Sequence, residues 1–216
     1  MKRVVVLLSG RGSNLQALLA AERAERWATA IPARIVAAIS SKPQVPGLAI
    51  AAAAGVATEV VESQAAASRE AFDAALLAAI DRHAPDLVVL AGFNRVLTDG
   101  FVAHYAGRLV NIHPSLLPSF PGLASHRQAL AAGVRVHGCT VHFVSATVDG
   151  GAIIGQAAVP VLASDTEESL AARVLELEHR LLPICVRSLL EGRVRLDGGR
   201  VVAEQEAFDQ LAVLAV

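Results

Sequence analysis

Four absences narrow what this chain can be. No apolar run approaches the roughly 20 residues that a transmembrane helix needs. The opening Met1-Lys2-Arg3 and the short run 4–8 mimic a secretory signal only superficially, because the run meets Gly10-Arg11 instead of a cleavage site. A cytosolic protein is expected, with no membrane partner. Strong charge of one sign is also missing: 19 Lys and Arg face 20 Asp and Glu, a net charge of −1. Nonspecific nucleic-acid binding normally shows as a basic face, so it is not expected. There are only two cysteines, Cys139 and Cys185. They lack CxxC spacing and sit in apolar surroundings, as inert core thiols do. The seven histidines show no HExxH or other metal spacing. His137 and His142, five apart on an expected strand, should face opposite sides. No metal is expected.

What remains is an apolar, sparsely charged chain of 216 residues, 54% hydrophobic and 18% charged, with a mean hydropathy of +0.49. Those values exclude a disordered chain, and the length lets it bury roughly 70% of its unfolded surface. The elements alternate. Strands are expected at 4–8, 33–39, 58–61 and 86–91, and helices at 14–26, 47–54 (ended by Gly55) and 69–83. Such alternation argues for a mostly parallel sheet wrapped by helices. Beyond residue 109 the character changes. Residues 139–144 and 153–161 have no helix between them and read as an antiparallel pair joined across Asp149-Gly150-Gly151. A last long helix is expected from Ser164, capped with Glu167, towards Glu191-Gly192, bent or interrupted at Pro183. Residues 193–196 and 200–202 flank Gly198-Gly199 as a terminal hairpin. With no internal repeat, low-complexity linker or clear boundary, the class is α/β in one domain, 1–216. Its halves divide near residue 105.

Two segments carry chemistry. Ser9-Gly10-Arg11-Gly12-Ser13-Asn14 joins the first strand to the first helix. Glycines permit a tight turn there, and the helix start offers free N–H groups. Leu15 stands where a dinucleotide fingerprint needs glycine, and no Gly-Lys-Ser/Thr follows, so one phosphate monoester fits better than a pyrophosphate. A plain strand-to-helix turn also fits. The second segment is Asn111-Ile-His113-Pro-Ser-Leu-Leu-Pro118-Ser-Phe-Pro121-Gly. Residues i and i+2 of an extended segment share a face, so Asn111 and His113 can reach one reacting atom. A neutral amide donor beside a titratable imidazole suits acyl transfer, and the prolines preset the loop that follows. A strand end with a merely hydrogen-bonded histidine fits as well. Four candidate segments, 10–14, 92–97, 111–113 and 144–149, follow strand ends, where ligands gather in open α/β sheets.

The proline-rich segment resembles the signature of the folate-dependent formyltransferases. Val4-Val-Val-Leu-Leu-Ser-Gly10-Arg-Gly12-Ser-Asn14, Val88-Val-Leu-Ala-Gly92-Phe-Asn-Arg95-Val-Leu, His137-Gly-Cys-Thr-Val-His142-Phe-Val and Val148-Asp149-Gly-Gly151 are similar to the same family, in order, almost from end to end. The resemblance implies transfer of a formyl group from 10-formyltetrahydrofolate, a cosubstrate, to the amine of glycinamide ribonucleotide in purine synthesis, by a monomer or weak homodimer. It implies catalytic roles for Asn111, His113 and Asp149, with Asp149 favouring the charged imidazole. Gly12, Ser13 and Asn14 would hold the 5′-phosphate, and Glu178 the ribose hydroxyls. Without the resemblance Glu178 reads as a solvated helix face. Arg95, Val96 and Leu97 would line the pterin pocket, and Arg69 would lie near the folate's glutamate tail. By the same resemblance, about 1–105 would be the phosphate- and nucleotide-binding half and about 106–216 the folate-binding and catalytic half. The chain departs from the family at Asn94, where methionine is common, at Ala124-Ser125, which replaces His-Thr or Asp-Thr, and at Leu175, often polar.

Other chemistries on the same scaffold are weaker fits. A formyltetrahydrofolate hydrolase usually carries an N-terminal regulatory domain, whereas this chain begins at its first strand, and it has no need of a phosphate loop. A methionyl-tRNA formyltransferase would need a C-terminal RNA-binding domain and basic surface. A non-catalytic nucleotide-binding module would not need Asn111, His113 and Asp149 together.

Overall fold

A computed structural model describes residues 1–214, which fall into two compact units, Met1–Val110 and a second from Asn111 onward. In the first unit β1 (Lys2–Leu8) leads to α1 (Ser13–Ala24), α2 (Trp27–Ala30), β2 (Ala33–Ser40), α3 (Pro46–Ala53), β3 (Ala57–Val60), α4 (Arg69–Asp81), β4 (Leu87–Leu90) and α5 (Asp99–His104). The strands run in the order β4-β1-β2-β3, and all their pairings are parallel. Val4 to Leu8 and the β4 valines are buried on both faces, which is why these strands are continuous apolar runs. β5 (Leu109–His113) carries the boundary between the units.

The second unit continues with α6 (Ser125–Ala131), β6 (Val136–Phe143), β7 (Ile153–Pro160), α7 (Glu167–Glu191), β8 (Val194–Asp197), β9 (Arg200–Ala203), α8 (Gln205–Gln210) and β10 (Ala212–Leu214). β6 and β7 pair antiparallel across the Asp149-Gly150-Gly151 turn, as do β8 and β9, while β10 pairs parallel to β7. The class is therefore α/β, mostly parallel, with an antiparallel portion towards the C terminus. No helix among the described residues is long and apolar enough to cross a membrane. Both cysteines are buried, and burial pushes their thiols well above the ordinary range.

Three local expectations need correction. The first helix stops at Ala24, not Arg26: Arg26 adopts a positive φ of 51°, and Trp27 enters a separate short helix with its side chain wholly buried. The last helix is capped by Thr166 and Ser169, not Ser164 and Glu167, with each side chain accepting from the other's backbone N–H. Asp165 accepts from the Leu162 N–H and pairs with Arg173, which holds 162–165 in a turn and delays the helix. Pro183 does not interrupt α7. The buried stripe of Leu170, Val174, Leu177, Leu181 and Cys185 packs on β6 and β7, and this outweighs one lost backbone hydrogen bond. The short α5, α6 and α8, together with β10, had no expectation from sequence.

Candidate functional site

At the end of β1, the turn into α1 is shaped by Gly12. It has a positive φ of 79° and serves as N-cap, so no side chain caps the first turn of α1. A Cβ at Gly12 would overlap the Cα of Gly47, whose N–H donates to the Gly10 carbonyl at 3.2 Å. The N–H groups of a first helical turn, with their dipole, favour an anion. Asn14 is buried there and Ser13 half-buried. Gly12→Ala is expected to destabilise the fold by about 1 kcal/mol or more, since alanine suits neither the φ nor the space. At Gly10 a Cβ would meet nothing within 4 Å, and the backbone has no positive φ, so Gly10→Ala should leave the thermal midpoint unchanged. Equal midpoints for the two variants would refute this account of the turn.

The first unit also holds a cavity of about 420 Å³, lined by Ser63, Ser68, Arg69, Phe72, Arg95 and Val96 among others. Arg69, Arg95 and Val96, singled out from sequence, thus meet at one place. Leu97 is buried and is not among the lining residues. Arg69 opens α4 beside the cap Ser68, whose hydroxyl accepts from the Ala71 N–H at 3.1 Å. Arg95 and Val96 lie on the loop between β4 and α5. A space with two guanidinium groups beside an aromatic ring suits a flat ligand that carries carboxylates. The side chain of Asn94 is exposed, and its backbone N–H donates to the Ser9 hydroxyl at 3.1 Å.

In the second unit Asn111 and His113 both lie on β5 and, two residues apart, enter one polar cluster. His113 is 6% exposed. Its Nδ1 stands 3.4 Å from Asp149 Oδ2, and its Nε2 stands 3.0 Å from the Phe120 carbonyl. Both neighbours are acceptors, so the imidazolium, which donates from both nitrogens, satisfies both. Asp149 adopts a positive φ of 53° in the turn, a conformation that Asp tolerates. Its Oδ2 accepts from the Gly122 N–H at 2.8 Å, and its Oδ1 lies 3.6 Å from His142 Nε2. Burial opposes the charged carboxylate. Even so, the neighbouring His142 ring, the Gly122 N–H hydrogen bond and the positive charge of His113 hold Asp149 below the usual carboxylate range. At Gly151 a Cβ would run into the Phe143 carbonyl, so the turn needs glycine to bring Asp149 back over β6.

His142 was not among the site residues expected from sequence. Its Nδ1 lies 2.9 Å from the Phe143 carbonyl and so carries the proton. Its Nε2 can then accept from Asn111 Nδ2 at 3.2 Å, which fixes the direction of the amide. The proline-rich loop is pinned by side chains as well as by proline. Thr140 accepts from the Leu117 N–H and donates to the Ser115 carbonyl, and Ser125 donates to the Pro114 carbonyl. His137, pushed down to about 4 by burial and by His126, packs edge-on against Phe120, whose carbonyl holds His113. At Ala124-Ser125, Ala124 takes a positive φ of 56° as N-cap of α6. Glu178 is buried on α7, not a solvated face, and Leu175 is half-buried.

The sequence matches the formyl transferase family model over residues 2–186. It is 47% identical over 214 residues to phosphoribosylglycinamide formyltransferase of Escherichia coli K12, covering 96% of this chain and 99% of that one. The structure is similar to glycinamide ribonucleotide transformylase 1 of Symbiobacterium toebii, with a TM-score of 0.89, 48% identity and 94% of each chain covered. It is also similar to phosphoribosylglycinamide formyltransferase of Anaplasma phagocytophilum, with a TM-score of 0.89, 40% identity, and 100% and 99% covered.

Proposed function

The chain belongs to the formyl transferase family, and from that membership we propose how its residues carry out the family's chemistry. It moves the formyl group of 10-formyltetrahydrofolate to the amine of glycinamide ribonucleotide, giving formylglycinamide ribonucleotide and tetrahydrofolate for purine synthesis. The amine attacks the formyl carbon, the new C–N bond forms, and negative charge develops on the formyl oxygen. Asn111 gives one amide N–H to His142 and turns the other to that oxygen. His113, as imidazolium held by Asp149 and the Phe120 carbonyl, stabilises the same charge and assists proton movement. The C–N bond to the folate then breaks, and the proton released by the attacking amine goes to the leaving nitrogen.

Gly12, Ser13 and Asn14 would hold the ribonucleotide's 5′-phosphate on the first turn of α1, and Glu178 its ribose hydroxyls. Arg69, Arg95, Val96 and the buried Leu97, all in the first unit, would recognise the donor. The observation that carries this reading is His113 held between a carboxylate and a carbonyl, with an oriented amide two residues upstream. Purified protein is expected to release tetrahydrofolate from 10-formyltetrahydrofolate, followed by absorbance, only when glycinamide ribonucleotide is present. Equal turnover without the ribonucleotide would mean that water is the acceptor and would overturn the reading.

A further inference from the structure

The loop that carries Arg95, Val96 and Leu97 has no regular structure of its own, yet both its ends are tied to buried polar side chains. At its start the Ser9 N–H donates to the Gly92 carbonyl at 3.0 Å, and the Ser9 hydroxyl accepts from the Asn94 N–H at 3.1 Å. At its end the Thr98 N–H donates to Asp73 Oδ2 at 2.6 Å. Thr98 is also the N-cap of α5, accepting from the Phe101 N–H at 3.3 Å, so one residue ends the loop and starts the helix. Asp73 sits on α4 one turn after Arg69, on the element that supplies the opposite wall of the cavity. Next to it Phe72 stacks on Phe93, with ring centroids 6.5 Å apart.

Asp73 is 2% exposed, and its Oδ1 has no hydrogen-bond partner. A buried carboxylate left half-satisfied is unfavourable for stability alone. A neutral residue of similar volume would fill the same space without that penalty. What the carboxylate adds is a short charge-assisted bond to one particular backbone N–H.

We propose that Asp73 is a positioning residue for donor recognition: by holding Thr98 to α4, it sets the distance across the cavity between Arg69 and the loop of Arg95 and Val96. It touches no substrate itself. The inference rests on the reading of this cavity as the folate site. Losing the bond lets the far end of the loop drift, which weakens the donor and leaves the ribonucleotide's phosphate turn and the β5 chemistry unchanged.

The test uses Asp73→Ala and Asp73→Asn in the full chain, with Arg69→Ala as a control on the cavity. KM for each substrate, kcat, the thermal midpoint and tetrahydrofolate binding by titration would be measured. Asp73→Ala is expected to raise the 10-formyltetrahydrofolate KM and the tetrahydrofolate Kd about tenfold, the scale of one charged hydrogen bond. The KM for glycinamide ribonucleotide and kcat should stay within about twofold of the parent, a split that general destabilisation would not produce. Asp73→Asn keeps an acceptor oxygen but loses the charge behind the bond, so it should raise donor KM and Kd by about threefold, part of the way to the alanine variant. If Arg69→Ala weakens the donor but folded Asp73→Ala and Asp73→Asn do not, the positioning role is wrong while the cavity reading stands. If Arg69→Ala leaves donor KM and tetrahydrofolate binding unchanged, the cavity is not the folate site and the inference falls with it. Should Asp73→Ala fail to fold, Asp73→Asn decides: donor KM and Kd equal to the parent would overturn the proposal, and a selective rise in both would support it.

Discussion

Asn111→Ala is expected to lower kcat by about 10²–10³, the usual loss when one preorganised oxyanion donor is removed. The KM for either substrate should change much less, because the hydrogen bond is made to charge that exists only as the transition state is approached. The fold should survive. Asn111 is half-buried, and β5 is held by its apolar neighbours Leu109, Val110 and Ile112. His142 loses its amide partner but keeps the Phe143 carbonyl on Nδ1 and Asp149 Oδ1 at 3.6 Å. Asn111→Asp makes the sharper comparison. It keeps the shape, replaces a donor with an acceptor and places negative charge where the oxyanion must form, so it should be slower than the alanine variant. Steady-state rates with both substrates saturating, alongside the thermal midpoint, settle the matter. A near-normal kcat in folded Asn111→Ala would remove this side chain from the mechanism.

The parts of this molecule that could be read from the chain are those set by neighbours in sequence. The β4 run Leu87–Leu90 is apolar throughout, the β6–β7 turn is Asp-Gly-Gly, and the β8–β9 turn is Gly-Gly. Each signal is local, and each element was found. Asn111 and His113 were legible because they share one strand. His142 was not. Its contact with Asn111 spans 31 residues of sequence and exists only because β6 brings the ring there. Asp73 was illegible for the same reason: on α4 it looks like any helix carboxylate, and its partner Thr98 lies 25 residues on. The N-terminus of α7 failed differently. Ser164, Thr166 and Ser169 are all competent caps, and the choice falls to Asp165, which turns the preceding residues by bonding Leu162 and Arg173. Pro183 misled because propensity is local, whereas the burial that overrides it is tertiary.

Asp149→Asn is expected to lower kcat by about 10², towards the low end of what a general acid–base arrangement contributes. The substitution is close to a pure loss of charge. Asparagine also tolerates the positive φ of this turn, and its carbonyl can still accept from the Gly122 N–H, so the turn and the proline-rich loop should keep their places. What disappears is the negative charge 3.4 Å from His113 Nδ1, and with it the balance for an imidazolium during transfer. The folded structure holds the Asp149 carboxylate below its usual range. A carboxylate held in this way stabilises the fold fully above its unfolded value, about 3.9, and loses that contribution as pH falls through the lower folded value. The parent should therefore exceed Asp149→Asn in urea stability at neutral pH, with the gap closing only below about pH 4. Urea midpoints across that range, with kcat at neutral pH, test both halves. A gap that does not change with pH would mean that the charge of Asp149 is not coupled to folding. A kcat within about threefold of the parent, well short of a general acid–base contribution, would reduce Asp149 to a turn residue.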